Sequence, residues 1–198
     1  EVAHWYLDTE RELSEEAKGL LAGLYGGMFG FKPFHWELEF PEVFEKTKER
    51  SNLGFDAVVG NPPFGGQSTI VNHNGPLYIN RLLRSNWAHP DGGSDLSCYF
   101  VLLAYSILRD SGTLGLITTN SIAEGENRKS SLKHLIQKKQ FELYDVVKSM
   151  TWPVKAAVKI SILIGVKGVW NGQKFLNGQS VRHINSYLED NEEFAEPV

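Results

Sequence analysis

One cysteine, Cys98, stands in 198 residues. No disulfide can form within the chain, and the redox chemistry of a Cys pair is excluded. No CxxC or HxxxH spacing occurs, so no zinc or haem signature is present and no metal is expected. The longest apolar run, CYFVLLAYSIL at residues 98–108, is too short to span a bilayer, and no signal peptide opens the chain. These absences lead us to expect a reducing, cytoplasmic setting in a bacterium or archaeon, with no membrane partner. Nor is there an excess of positive charge. Lys and Arg total 20 against 24 for Asp and Glu, a formal net charge of −4, so no global basic field argues for nucleic acid and any such contact must be local. Internal repeats and low-complexity tracts are missing too.

The hydrophobic fraction is 41% and the aromatic fraction 12%, which suits a globular protein with one sizeable core. The chain starts at Glu1 without a methionine, inside what reads as a running segment, and ends on the acidic EEFAEPV. We expect a piece of a larger protein.

Along the chain, residues 10–24 place Leu13, Ala17, Leu20, Leu21 and Leu24 at helical spacing, with acids early. FKPFHWELEFPEVF (31–44) is aromatic and broken by Pro33 and Pro41. It reads as extended, with a strand near His35 to Phe40. FDAVVG (55–60) is a short apolar run between turn signals, as in a strand buried on both faces. A Gly- and Asn-rich loop is expected over 65–75 and a helix over LYINRLLRSNW. SDLSCYFVLLAYSILRDSG reads as a buried helix, capped by Ser94 or Asp95 and closed at Gly112. TLGLITTN (113–120) is a second strand, RKSSLKHLIQKK a basic helix, FELYDVV a third strand and KAAVKISILIGVKG a fourth. The last thirty or so residues are polar and weakly periodic. Alternating strands and helices predict a mostly parallel sheet with right-handed crossovers. The short link between the last two strands predicts one antiparallel strand at or near an edge.

Asn-Pro-Pro-Phe, residues 61–64, follows the first strand. In an open α/β sheet the binding crevice lies beyond the carboxyl ends of the strands. Asn61 and Pro62 each precede a proline and are pushed into extended conformations. Neither Pro62 nor Pro63 offers an N–H. The Asn61 side-chain oxygen and the Pro62 carbonyl, facing outward, form a pair of acceptors for both hydrogens of one exocyclic amine. Such a pair localises the nitrogen lone pair and stabilises the positive charge that develops on alkylation. Phe64 offers a face for stacking on a base. The plain alternative is a proline-stiffened loop at a strand end.

VVGNPPF resembles the catalytic motif of adenine-N6 DNA methyltransferases that use S-adenosylmethionine. FHWELEFPEVF is similar to the segment upstream of that motif in the large restriction–modification methylases of the Eco57I type. SDLSCYFVLLAYSILRDSGTLGLITTNSI resembles the helix and strand that follow it, and TWPVKAAVKISILIGV the later motif in which an aromatic-Pro pair precedes a strand. The resemblance covers roughly residues 34–167. It implies a Rossmann-like S-adenosylmethionine-dependent methyltransferase fold, of which this chain holds the C-terminal half of the sheet. It further implies that Asn61 and the Pro62 carbonyl hold the target amine of a flipped-out adenine and that Phe64 stacks on it. Trp152, with Pro153, would contact the base, and Pro63, Phe100 and Asp95 would face the cofactor. Trp152 also reads as a core residue at the sheet edge, and Asp95 equally as a helix cap.

One departure is marked. The family's cofactor-binding glycine loop and acidic strand ends lie much farther upstream of the catalytic motif than the 60 residues available here, and LYGGMFGF follows a helix rather than a strand. We therefore expect a partial catalytic domain over 1–168, with 169–198 a linker or the start of a target-recognition region. The rest of the methyltransferase domain and a target-recognition domain are expected in the parent chain, and double-stranded DNA as the partner, in a restriction–modification or phage-defence system. Two other readings stay open: methylation of a protein or RNA amine, and a non-enzymatic nucleic-acid-binding or scaffold module using the basic residues of 128–139.

Overall fold

A computed structural model describes residues 34–48, 51–75, 78–79, 82–83, 94–152 and 158–193. The helix expected over 10–24 lies outside them. So does most of the helix expected over 77–87, of which Tyr78, Ile79, Leu82 and Leu83 are described and helical.

Strand β1 (Phe55–Gly60) runs parallel to β2 (Leu108–Thr119). β3 (Phe141–Thr151) and β4 (Lys159–Lys167) form an antiparallel hairpin. β4 folds back into the gap beside β2, so the sheet order is β1-β2-β4-β3, continued by β5 (Lys174–Leu176) and β6 (Gln179–Val181). The expected reversed strand is β4, but it is interior rather than at an edge. The short hairpin link lets its Ile160–Val166 stretch pair with β2 on one side and β3 on the other. β5 and β6 arise within the polar C-terminal stretch: β5 pairs parallel to β3 through Asp145 and Val146, and β6 turns back on it. Trp170 stacks on Tyr144, with centroids 4.0 Å apart, and helps seat this extension.

The core lies on one face of the sheet. Alternation along β2 turns Leu114 and Leu116 inward with Leu163, Phe141, Leu143 and Val146. They meet Val101, Leu102 and Ala104 from the central helix (Leu96–Ile107) and Leu132 and Leu135 from the helix that follows β2. That second helix is a continuous run of Gly125–Arg128, a π-helical stretch Lys129–Lys133 and His134–Lys138.

Four sequence expectations are corrected. The segment expected as a strand near His35 to Phe40 forms two short helical turns, Trp36–Glu39 and Pro41–Phe44. Pro41 occupies the first turn of the second, where its missing N–H costs nothing. The aromatic spacing serves a cluster in which Trp36, Phe40 and Phe44 each set an edge contact on Phe55, 5.4–5.5 Å between centroids. Within the loop expected over 65–75, Gln67–Asn74 is helical, ended by Gly75 at φ +79° and anchored by buried Ile70. The central helix closes at Ile107, not Gly112. Residues 108–112 belong to β2 and bulge, the register jumping from Phe55↔Leu108 to Ala57↔Thr113. Gly54, at φ +115°, makes the bulge possible, because a Cβ there would lie 2.5 Å from the Arg109 nitrogen. Finally, β1 is not buried on both faces: Val59 is 83% exposed. Among the described residues β1 is a sheet edge, with β2 its sole neighbour.

Among the described residues, no helix is long and apolar enough to cross a membrane.

Candidate active site at the carboxyl ends of the strands

Asn61 leaves β1 one residue after Gly60, which is in register with Leu116 of β2. β2 ends at Thr119 and passes into a 3-10 turn, Asn120–Ala123. Thr119 faces Ile160 near the start of β4, and Lys159 faces Thr151 at the end of β3. The Asn61 loop, the Asn120 turn and the β3–β4 link therefore share one end of the sheet. Trp152 sits at the mouth of that link, its backbone N–H donating to the Val158 carbonyl at 2.9 Å. Three strand spacings separate β1 from β3, about 14 Å. The fold thus brings Asn61 and Trp152 to one end of the sheet, three strands apart. Pro153 lies outside the described residues.

Asn61 and Pro63 are exposed, Phe64 is half-buried and Pro62 is buried. Among the described residues, neither the Asn61 carboxamide nor the Pro62 carbonyl has a hydrogen-bond partner. A polar side chain left unpartnered at the exit of a strand is available to a ligand. Phe100 is half-buried in the central helix.

Asp95 occupies the cap position of the central helix, yet its side chain caps nothing. Its Oδ2 instead accepts from Ser121 Oγ at 2.6 Å, Asn127 Nδ2 at 3.1 Å and Thr119 Oγ1 at 3.4 Å. The Asp95 backbone N–H donates to Asn127 Oδ1 at 2.8 Å. The neighbouring Leu96 N–H donates to the Gly65 carbonyl at 2.8 Å, which ties the Asn-Pro-Pro-Phe loop to the helix start. Behind it, burial pushes the Cys98 thiol up from 9.0 to about 12.

Sequence reasoning missed a polar cluster at this end of the sheet. Asn120 Oδ1 accepts from Ser149 Oγ at 2.9 Å and Ser161 Oγ at 3.1 Å, joining the ends of β2, β3 and β4. Ser149 and Ser161 are isolated hydroxyls in apolar strands, and one sequence offers no sign that they converge. Ser121 and Asn127 were legible only as polar residues after a strand.

The basic helix also differs from expectation. Arg128 is 3% exposed. Its Nη1 donates to Ser186 Oγ at 2.8 Å and lies 3.5 Å from Glu193 Oε1, and its guanidinium stands 3.8 Å from the Tyr187 ring centroid. Glu193 also accepts from the Ser186 backbone N–H and hydroxyl. Arg128 thus pins the C-terminal stretch instead of facing solvent.

The architecture has a counterpart in the Type IIL restriction–modification enzyme MmeI, solved in complex with DNA: TM-score 0.56, 21% identity, covering 70% of this chain and 20% of that one. A "putative class i s-adenosylmethionine-dependent methyltransferase" from Listeria monocytogenes is also similar, at TM-score 0.46 and 16% identity, over 63% of this chain and 37% of that one. The chain thus shares the fold of the matching part of MmeI. The chain belongs to the Eco57I restriction-modification methylase family, whose model matches residues 28–150, more than half of its length. Among curated proteins it is 27% identical over 107 residues to the "Putative type II restriction enzyme and methyltransferase RM.MjaORFECS2P" of Methanocaldococcus jannaschii. That match covers 54% of this chain and 8% of the relative, so the chain spans a small part of that protein.

Proposed function

We propose that the whole protein is a site-specific DNA adenine-N6 methyltransferase of a restriction–modification or phage-defence system, and that this chain carries its catalytic corner. The observation that carries the reading is the exposed Asn61 carboxamide, unpartnered among the described residues and followed by two prolines at the carboxyl end of β1. Asn61 Oδ1 and the Pro62 carbonyl accept the two amine hydrogens of the target. They favour a tetrahedral nitrogen and stabilise its developing charge. An adenine inside a duplex is out of reach of this corner and must be flipped into it. Phe64 stacks on the base and Trp152, at the mouth of the β3–β4 link, contacts it.

S-adenosylmethionine, when bound, supplies the electrophilic methyl group. The described residues fit one wall of its site. Pro63 is exposed two residues after Asn61, beyond the end of β1, with Phe100 in the central helix as a further cofactor-facing candidate. Among the described residues, no glycine loop follows a strand on the outer side of β1 to cradle the nucleoside. We assign that cradle to a segment outside 34–193, and target recognition to a region beyond the catalytic corner.

Double-stranded DNA as substrate is supported by the restriction–modification family of the chain. The scaffold reading loses support from Arg128, which is buried against Glu193 and cannot meet a phosphate from there.

The test is methyl transfer by the whole protein to duplex DNA, with Asn61→Ala alongside. The variant should lose at least about a hundredfold in single-turnover rate, the scale of removing one group that stabilises developing charge, while DNA binding survives. Near-normal turnover would end the acceptor-pair account. Transfer to RNA or to a protein glutamine in place of DNA would move the substrate assignment.

A further inference from the structure

The Asn61 loop is tied at Gly65 to the start of the central helix, beside Asp95. A carboxylate that heads a helix ordinarily caps that helix's own first N–H groups. This one turns away and gathers donors from other elements: Ser121 at 2.6 Å, Asn127 at 3.1 Å and Thr119 at 3.4 Å, all on Oδ2. Asn127 grips the residue twice, since its Oδ1 also accepts the Asp95 backbone N–H at 2.8 Å. The other carboxylate oxygen faces the loop, where a Cβ added to Gly66 would come within 3.3 Å of Oδ1. The next residue, Leu96, donates its N–H to the Gly65 carbonyl. Asp95 therefore joins the end of β2 to the following helix, and its neighbour Leu96 ties in the Asn61–Gly66 loop at Gly65. Hydroxyl and amide donors thus converge on a single carboxylate oxygen, and hydrogen bonds to a carboxylate are of the stronger, charge-assisted kind.

We propose that Asp95 is a positioning residue: its carboxylate clasps Ser121, Asn127 and Thr119 and so fixes the loop that presents the Asn61 carboxamide. The kinetic consequence rests on the methyltransferase reading above, whereas the structural consequence stands without it.

The test uses Asp95→Asn, which keeps the size and exchanges one acceptor oxygen for a donor. In this chain, hydrogen exchange at the Leu96 amide should accelerate by about tenfold or more, as expected for losing a charge-assisted hydrogen bond. The amide of Leu163, in the centre of β4, should not change. Ser121→Ala should act in the same direction and Ser121→Thr, which keeps the hydroxyl, should restore protection; this pair decides the matter if Asp95→Asn does not fold. In the whole protein, kcat should fall by about tenfold or more for the same reason, with the affinity for S-adenosylmethionine unchanged. Unaltered Leu96 exchange overturns the proposal. Unaltered exchange together with lost cofactor affinity overturns it in favour of a direct ligand role for Asp95. If the wild-type protein transfers no methyl group to DNA, the methyltransferase reading fails, while the exchange result still decides the clasp.

Discussion

Phe141 occupies the space that a side chain on Gly165 would need: a Cβ built there falls 2.3 Å from Phe141 Cζ and 2.7 Å from Cε2. Phe141 is 1% exposed and belongs to the main core, so the ring has no room to retreat. β4 lies in the middle of the sheet, and close packing of the second helix over β3 depends on this large-against-nothing pairing. Gly165→Ala should therefore destabilise by about 1–3 kcal/mol, the usual cost of overpacking, read as a lower urea midpoint. Phe141→Leu in the same chain should recover part of the loss, since contacting residues are not additive.

The buried pair of Arg128 and Glu193 gives a second outcome. Glu193→Gln removes the countercharge from a guanidinium that is 3% exposed. The expected cost is about 3–5 kcal/mol, as for other broken buried pairs. Replacing both, as Arg128→Met with Glu193→Gln, should cost clearly less than Glu193→Gln alone. Denaturant unfolding of the three variants measures the order.

Stability at high pH should carry the mark of Cys98. Its thiol is held up to about 12 by burial, against 9.0 in an open chain. Above pH 9 the unfolded chain releases this proton and the folded chain keeps it, so stability falls as pH rises from about 9 towards 12. Tyr99, Tyr105 and Tyr144, also raised by burial, act in the same direction above their ordinary 10.0. Lys167, lowered by burial, opposes them. Cys98→Ala should flatten the decline, and the difference between the two pH–stability curves isolates the thiol. A thiol reagent at pH 8 should leave Cys98 unmodified until the chain is unfolded.

Titration of S-adenosylmethionine into the 198-residue chain tests the partial cofactor wall. No heat of binding is expected from a folded sample. Clear binding would place the nucleoside cradle within this chain.

Much of this was readable in advance. The apolar, β-branched runs at FDAVVG, TLGLITTN, FELYDVV and KISILIGV marked the four long strands, because such short runs fit a pleated strand. The Asn61–Phe64 corner was legible because two prolines leave the backbone few alternatives. What escaped depended on partners distant in sequence. The turns at Trp36–Phe44 formed as helix because Phe55 collects their rings, and nothing local announces that. β5 and β6 are three residues each and gain their order from the edge of β3. The donors on Asp95 come from residues 24 to 32 positions away, beyond any periodicity.

The seat of Arg128 also bears on how the chain can be handled. Ser186, Tyr187 and Glu193 reach back from beyond the last strand to enclose a charge on the helix after β2, next to Asn127. A cut placed after β6, the last strand among the described residues, would remove the three groups that hold that charge. The boundary for trimming, fusion or transplanting this unit is therefore set by a buried guanidinium, and it lies after Glu193.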